Sequence, residues 1–170
     1  MAAAAPQACP PAAPEGTAER PLASVLLIAY RQPATVGAAV QGALAQTYSP
    51  LEIIVSDDCS GDGTWDAIEA ALAGYAGPHR IVRNRNPRNL GIGAHLSHLA
   101  ALARGELLFV AAGDDVSLPE RCERSVAAWL AAGRRPDLIA SPLVDIDDGG
   151  QVEDSGSVVG DAPTATTAHE

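Results

Sequence analysis

Lysine is absent from this chain of 170 residues: all 11 basic residues are arginine, and 21 acidic residues bring the formal charge to −10. That balance argues against a general binder of nucleic-acid backbones. Without a Gly-Lys-Ser or Gly-Lys-Thr step, phosphate-loop chemistry is also excluded. Aromatic residues make up only 4% of a chain that is 47% hydrophobic, so the core is expected to be filled by Ala, Leu, Ile and Val rather than by rings. The three cysteines, Cys9, Cys59 and Cys122, are odd in number and far apart, which fits neither a disulfide framework nor a zinc knuckle. A reduced, cytoplasmic setting is expected. No apolar run approaches the roughly 20 residues that span a bilayer, and no basic stretch precedes an apolar one near the N-terminus. Neither secretion nor membrane insertion is expected.

Residues 1–21 hold eight alanines and five prolines, a composition with no amphipathic stripe and with prolines that block backbone pairing. They are expected to form a disordered leader. Residues 149–170 are Gly, Ser, Thr, Ala and acids with few sizeable apolar side chains, and are expected to form a disordered acidic tail. The domain is then 22–148. Within it, apolar runs at Ser24 to Ala29, Leu51 to Ser56, Arg80 to Arg83, Glu106 to Ala111 and Asp137 to Ser141 predict strands, several of them apolar on both faces as buried parallel strands are. Between them, Val36, Val40 and Leu44, then Trp65, Ile68 and Leu72, then Leu96, Leu99 and Ala103 recur at helical spacing. Pro119 opens a fourth helix carrying Cys122, Val126, Trp129 and Leu130, which ends at Gly133 before Pro136. This βαβαβαβαβ alternation predicts an α/β fold, an open, mostly parallel sheet with helices on both faces.

Ligands of such sheets sit beyond the carboxyl ends of the strands. Tyr30 and Arg31 follow the first strand, Asp57 to Thr64 the second, and Gly113-Asp114-Asp115 the fourth. A polar turn that caps the next helix accounts for Ser60 to Thr64. Two adjacent acids at a strand end need a donor or a cation to meet them. Hard carboxylate oxygens suit Mg²⁺ or Mn²⁺, which hold one or two protein carboxylates and complete their shell with water and substrate phosphates. A nucleoside diphosphate would supply such phosphates. His95 and His98 lie three apart on a predicted helix and could share a face as metal ligands, but no third ligand is near. Arg83, Arg85 and Arg88 form a basic cluster that is either an exposed loop or a contact to a base or diphosphate. Cys59 lies among carboxylates that oppose thiolate formation and is read as a packing residue.

These motifs together resemble the N-terminal, nucleotide-sugar-binding part of a family 2 glycosyltransferase of the GT-A fold. The resemblance rests on Val25 to Tyr30, on Ala45-Gln46-Thr47-Tyr48, and on Leu51 to Thr64 with its Asp57-Asp58-Cys59-Ser60 core. Asn89-Leu90-Gly91, Ala103-Arg104-Gly105-Glu106, Asp114-Asp115 and Leu118-Pro119-Glu120 extend it, so that it covers residues 22–148. It implies a Rossmann-like GT-A sheet that is incomplete at its C-terminal end. It also implies transfer of a sugar, with inversion, from a nucleotide-diphosphate donor to a hydroxyl acceptor of a glycan, lipid-linked or protein kind.

By that resemblance Asp57 and Asp58 recognise the base and ribose, with Tyr30 beside the base, while Asp114 or Asp115 holds a divalent metal, Mg²⁺ or Mn²⁺; Ala29 and, from the basic cluster, Arg88 are further expected contacts to the nucleotide sugar. A carboxylate can accept the N–H of uracil or thymine in a charge-assisted hydrogen bond, which favours UDP- or dTDP-sugars. Arg31 replaces the family's usual Asn, and Ala112 replaces the acid two places before Asp114. The general base that the reaction needs matches no residue of this chain; Asp145, Asp147, Asp148 and Asp154 are read as a solvated turn and tail. The alternative is a truncated, glycosyltransferase-like module that binds nucleotide without transfer.

Overall fold

A computed structural model describes residues 20–140 and the backbone of 164–166. Four parallel strands, β1 (Ala23–Ala29), β2 (Leu51–Asp57), β3 (Arg80–Arg85) and β4 (Leu107–Ala112), form one sheet in the order β3-β2-β1-β4. They alternate with α1 (Val36–Leu44), α2 (Thr64–Leu72), α3 (Ile92–Leu102) and α4 (Arg121–Ala131). These are the strands and helices that the apolar periodicity predicts, and the ends of the four strands fall within two residues of the expected ones.

β1 and β2 are central and buried along nearly their whole length, which is why neither shows the polar alternation of a half-exposed strand. Their alternate side chains enter two cores. Val25, Leu27, Ile53 and Val55 pack with Val36 and Val40 of α1, Ile68 and Leu72 of α2, and Cys122 and Val126 of α4. On the other face Leu26 and Ile54 meet Leu99 of α3. The sheet thus carries three helices on one face and one on the other. The chain steps outward from β1 to β3, and α3 then crosses the opposite face to place β4 on the far side of β1. The strand order reverses between β2-β1 and β4, and this is where a crevice opens in a parallel sheet.

The end of the sheet away from that crevice is closed by a buried acid. Glu52, fully buried, accepts hydrogen bonds from Ser24 Oγ at 2.9 Å and the Arg104 N–H at 3.1 Å, and pairs with Arg80. The neighbouring Gly105 N–H donates to Ser24 Oγ, and a Cβ at Gly105 would come within 2.6 Å of the Ser24 backbone nitrogen. The Arg104-Gly105 motif therefore joins the start of β4 to β1 and β2.

Three expectations need revision. The fifth strand, β5 (Leu138–Ala140), does not extend the sheet; it pairs antiparallel with β6 (Thr164–Thr166) in a separate two-stranded sheet. An apolar run identifies a strand but not its partner, and β5 is short, mostly exposed and preceded by Pro136. Thr164–Thr166 fall within the stretch expected to be a disordered tail. Arg20 and Pro21, assigned to the leader, belong to the body, since Arg20 pairs with Glu123 and the Tyr48 hydroxyl donates to the Pro21 carbonyl at 2.5 Å. The rest of the leader and tail, with Cys9, Asp145, Asp147, Asp148 and Asp154, lie outside the described residues. No helix among the described residues is long and apolar enough to cross a membrane.

Candidate functional site

Strand register brings the predicted residues to one edge. Ala29 pairs with Asp57 and Ile28 with Ala112, so Tyr30, Asp58 and Gly113 leave the sheet side by side. Behind them lies a cavity of about 210 Å³, walled by Ile28, Ala29, Tyr30 and Gln32 on one side and by Asp58, Asn89, Gly91, Ile92 and His95 on the other. Small-molecule sites typically enclose about 300–1,000 Å³, so this space is smaller than a whole drug-sized ligand requires.

Asp57 and Asp58 are adjacent, and strand geometry sends them to opposite sides. Asp57 is fully buried and turned away from the cavity: Ser60 donates to it through both N–H and hydroxyl, and Arg85 Nε lies 3.4 Å from its Oδ2. Asp58 faces the cavity. Its Oδ1 accepts from Asn86 Nδ2 at 2.7 Å and the Leu90 N–H at 2.9 Å, and its Oδ2 accepts from the Gly91 N–H at 2.9 Å. The internal donors that meet both carboxylates are the ones the sequence could not locate. Burial pushes the Asp58 pKa up, but the hydrogen bonds from Asn86, Leu90 and Gly91 outweigh it and hold the carboxyl below its ordinary range. Gly91 has φ of +75°, which lets the chain fold its N–H back onto Asp58 just before α3 begins.

The turn from 59 to 64 also holds the β1 loop. The Arg31 N–H donates to Ser60 Oγ at 2.8 Å and the Gln32 N–H to Thr64 Oγ1 at 3.0 Å. Asp62 accepts from the Thr64 N–H and hydroxyl, the capping turn expected there. Cys59 and Arg31 both occupy the left-handed region, at φ of +64° and +56°. Cys59 is exposed, so the packing role read for it does not hold; Asp58 and Ser60 on either side of it are buried. Arg31 stacks its guanidinium 5.2 Å from the centre of the Tyr30 ring.

Asp114 and Asp115 are exposed and follow Gly113, which lies against Ala29 and Gln32 of the cavity wall. Buried Gly113 fixes them there, because a Cβ at that position would come within 2.9 Å of the Ala29 Cβ. Among the described residues no group of three or more His, Cys, Asp or Glu side chains converges as a metal site, so Asp114 and Asp115 offer two hard ligands at most. Arg88 is exposed on the loop that supplies Asn89 and Gly91 to the cavity wall. Of its neighbours, Arg83 pairs with Glu69, and Arg85 pairs with Asp57 and lies over Trp65.

Sequence reasoning missed His95 as part of this site. It is buried, its Nε2 lies 2.5 Å from Ser56 Oγ, and its Nδ1 lies 4.0 Å from Asp58 Oδ2. Burial drives the His95 pKa down, against the attraction of Asp58. His98 is exposed, so the two histidines do not act as a pair. The spacing from His95 to Leu99, one helical turn, was the available signal that both lie on the buried face.

The sequence and this fold both have relatives. The succinoglycan biosynthesis protein ExoO of Rhizobium meliloti is 34% identical over 134 residues, covering 75% of this chain and 35% of ExoO. Among solved structures, a mannosyltransferase from Pyrobaculum calidifontis, in complex with GDP-Man and Mn²⁺, superposes with a TM-score of 0.65 at 19% identity, over 75% of this chain and 37% of that one. S. aureus TarS in complex with UDP-GlcNAc superposes at 0.60 and 20% identity, over 78% of this chain and 37% of that one. The chain spans between about a third and a half of the length of the first curated relatives it matches. The architecture is the GT-A fold in part. With the model of glycosyl transferase family 2 matching residues 24–149, across all four parallel strands and the cleft they form, the chain belongs to that family.

Proposed function

We propose that this chain is the donor-binding part of a glycosyltransferase that moves a sugar, with inversion, from a nucleotide-diphosphate donor, UDP- or dTDP-linked by preference, to a hydroxyl acceptor. The observation that carries this reading is the cavity at the carboxyl ends of β1 and β2, lined by Tyr30 and Asp58, with the exposed Asp114-Asp115 pair following β4, the strand next to β1. Tyr30, 40% exposed, offers an aromatic face to a base. Asp58 offers an acceptor to a base N–H, and Ala29 lines the same cavity. Asp57 supports the turn that carries these groups. Arg88 is free to reach a phosphate, since no ion pair holds it among the described residues.

The carboxylates of Asp114 and Asp115 fit a divalent cation by their donor chemistry, being hard, solvent-facing oxygens of the number that Mg²⁺ or Mn²⁺ takes from protein when phosphates supply the rest. Asp114 and Asp115 would hold it. Bound there, such an ion supplies neutralisation of the charge that develops on a departing nucleoside diphosphate. The mannosyltransferase neighbour, solved with GDP-Man and Mn²⁺, supports this reading. The test is calorimetric titration of UDP, dTDP and GDP with and without Mn²⁺ on the wild type, Asp114→Ala and Asp115→Ala. Metal-dependent binding that these substitutions weaken is expected; a folded wild type that binds none of the three overturns the proposal.

A further inference from the structure

The polar wall of the cavity contains a hydrogen-bonded chain whose proton directions can be worked out from one end. Asp58 is ionised and can only accept, so Asn86 must present its amide NH₂ to Asp58 Oδ1, as the 2.7 Å contact requires. The Asn86 carbonyl oxygen then faces Asn84, whose Nδ2 donates to it at 2.9 Å. The second hydrogen of that Nδ2 goes to Ser56 Oγ at 2.8 Å. Ser56 is fully buried, and among the described contacts its own hydroxyl proton has no acceptor other than His95 Nε2, 2.5 Å away. Nε2 is therefore the acceptor. A buried neutral imidazole that accepts at Nε2 carries its hydrogen on Nδ1.

That Nδ1–H has no hydrogen-bond partner among the described contacts and lies 4.0 Å from Asp58 Oδ2, with both side chains lining the cavity. Asp58 Oδ1 already has two donors, whereas Oδ2 has the Gly91 N–H and a shared interaction with Leu90. One lone pair of Oδ2 is left. The wall thus presents an acceptor and a donor side by side, and their complement is a ligand edge with an N–H next to a C=O.

We propose that His95 reads the base of the donor: Asp58 Oδ2 accepts the ring N–H, and His95 Nδ1–H donates to the carbonyl beside it. Uracil, thymine and guanine have that edge. Cytosine and adenine present a bare ring nitrogen and an exocyclic NH₂, which would set acceptor against acceptor and donor against donor. Asn84, Ser56 and Asn86 are positioning residues that act through the histidine tautomer and the carboxylate. The inference rests on the proposed donor site and adds to it the residue that sets base preference.

The experiment is titration of UDP, GDP, CDP and ADP, each with Mn²⁺, against the wild type, His95→Phe, His95→Asn and Ser56→Ala, all checked for cooperative melting. The wild type is expected to bind UDP, GDP or both in preference to CDP and ADP, the pair distinguishing a pyrimidine from a purine pocket. His95→Phe keeps bulk and loses the donor; it should weaken the preferred nucleotide on the order of tenfold and leave CDP and ADP unchanged. His95→Asn, whose amide can place an N–H where Nδ1–H stood, should recover most of that loss. A merely structural histidine would weaken all four alike and gain nothing from asparagine. A wild type that binds all four equally, or a folded His95→Phe with the wild-type ranking, overturns this inference and leaves the donor site standing. A folded wild type that binds none overturns both. Should His95→Phe fail to fold, the wild-type ranking and the His95→Asn result still decide.

Discussion

Asp58→Ala should destabilise the domain by about 3–5 kcal/mol, and the figure follows from three lost contacts. The substitution removes the acceptor of the Asn86 amide and of the Leu90 and Gly91 N–H groups. A hydrogen bond to an ionised group contributes roughly 1.5–3 kcal/mol, and a donor left buried without a partner costs about 1–3 kcal/mol. Asn86, 4% exposed, bears that cost in full. Leu90 and Gly91 are half-buried and can turn towards water, so each counts near the lower bound. The sum is a large share of the roughly 5–15 kcal/mol that typically holds a domain. Asp58→Asn keeps one carbonyl oxygen for part of this ring but brings N–H against N–H, and should lose about half as much. Urea unfolding followed by far-UV circular dichroism measures all three proteins on one scale. The expected order is wild type, Asp58→Asn, Asp58→Ala. An alanine variant within about 1 kcal/mol of the wild type would refute the view that this carboxylate anchors the loop from 86 to 91.

The same contacts predict an acid sensitivity. A carboxyl held below its ordinary value of 3.8 contributes stability that is complete above the unfolded pKa and is lost as pH falls through the folded one. The wild type should therefore lose more stability than Asp58→Asn below about pH 5, and parallel acid profiles would contradict this. Cys59→Gly should raise stability by about 0.5–1 kcal/mol, because the left-handed backbone costs an L-residue roughly 1–2 kcal/mol and glycine returns only part of that as chain entropy. A lower urea midpoint for that variant would count against strain at Cys59. Burial pushes the Cys122 thiol up to about 12, so in a Cys9→Ser, Cys59→Ser background no thiol should react with a disulfide reagent at pH 8 until urea unfolds the chain; prompt labelling of the native protein would show that the α4 core opens.

Much of the site was legible because the motifs lie at strand ends. In a parallel sheet every strand delivers its following residues to the same edge, so Tyr30, Asp58 and Asp114 could be grouped before any contact was known. Their environment could not be read in the same way. The sequence places Asp57 and Asp58 as a pair, yet one is bound by Ser60 and Arg85 and the other by Asn86, Leu90 and Gly91, partners that come from as many as 33 positions away. His95 carries no local sign of its role, because its partners Ser56 and Asp58 lie on another strand end.

By itself the sequence determined the order of strands and helices, the buried character of β1 and β2, and the family, because periodicity and spaced motifs are local properties that survive projection onto one dimension. Tertiary structure decided what each polar group meets. Which face α3 covers, where β5 finds its partner, which of two adjacent carboxylates looks into the cavity and where the His95 proton sits all depend on contacts between distant segments, and hydrogen-bond directions exist only once those segments have been brought together.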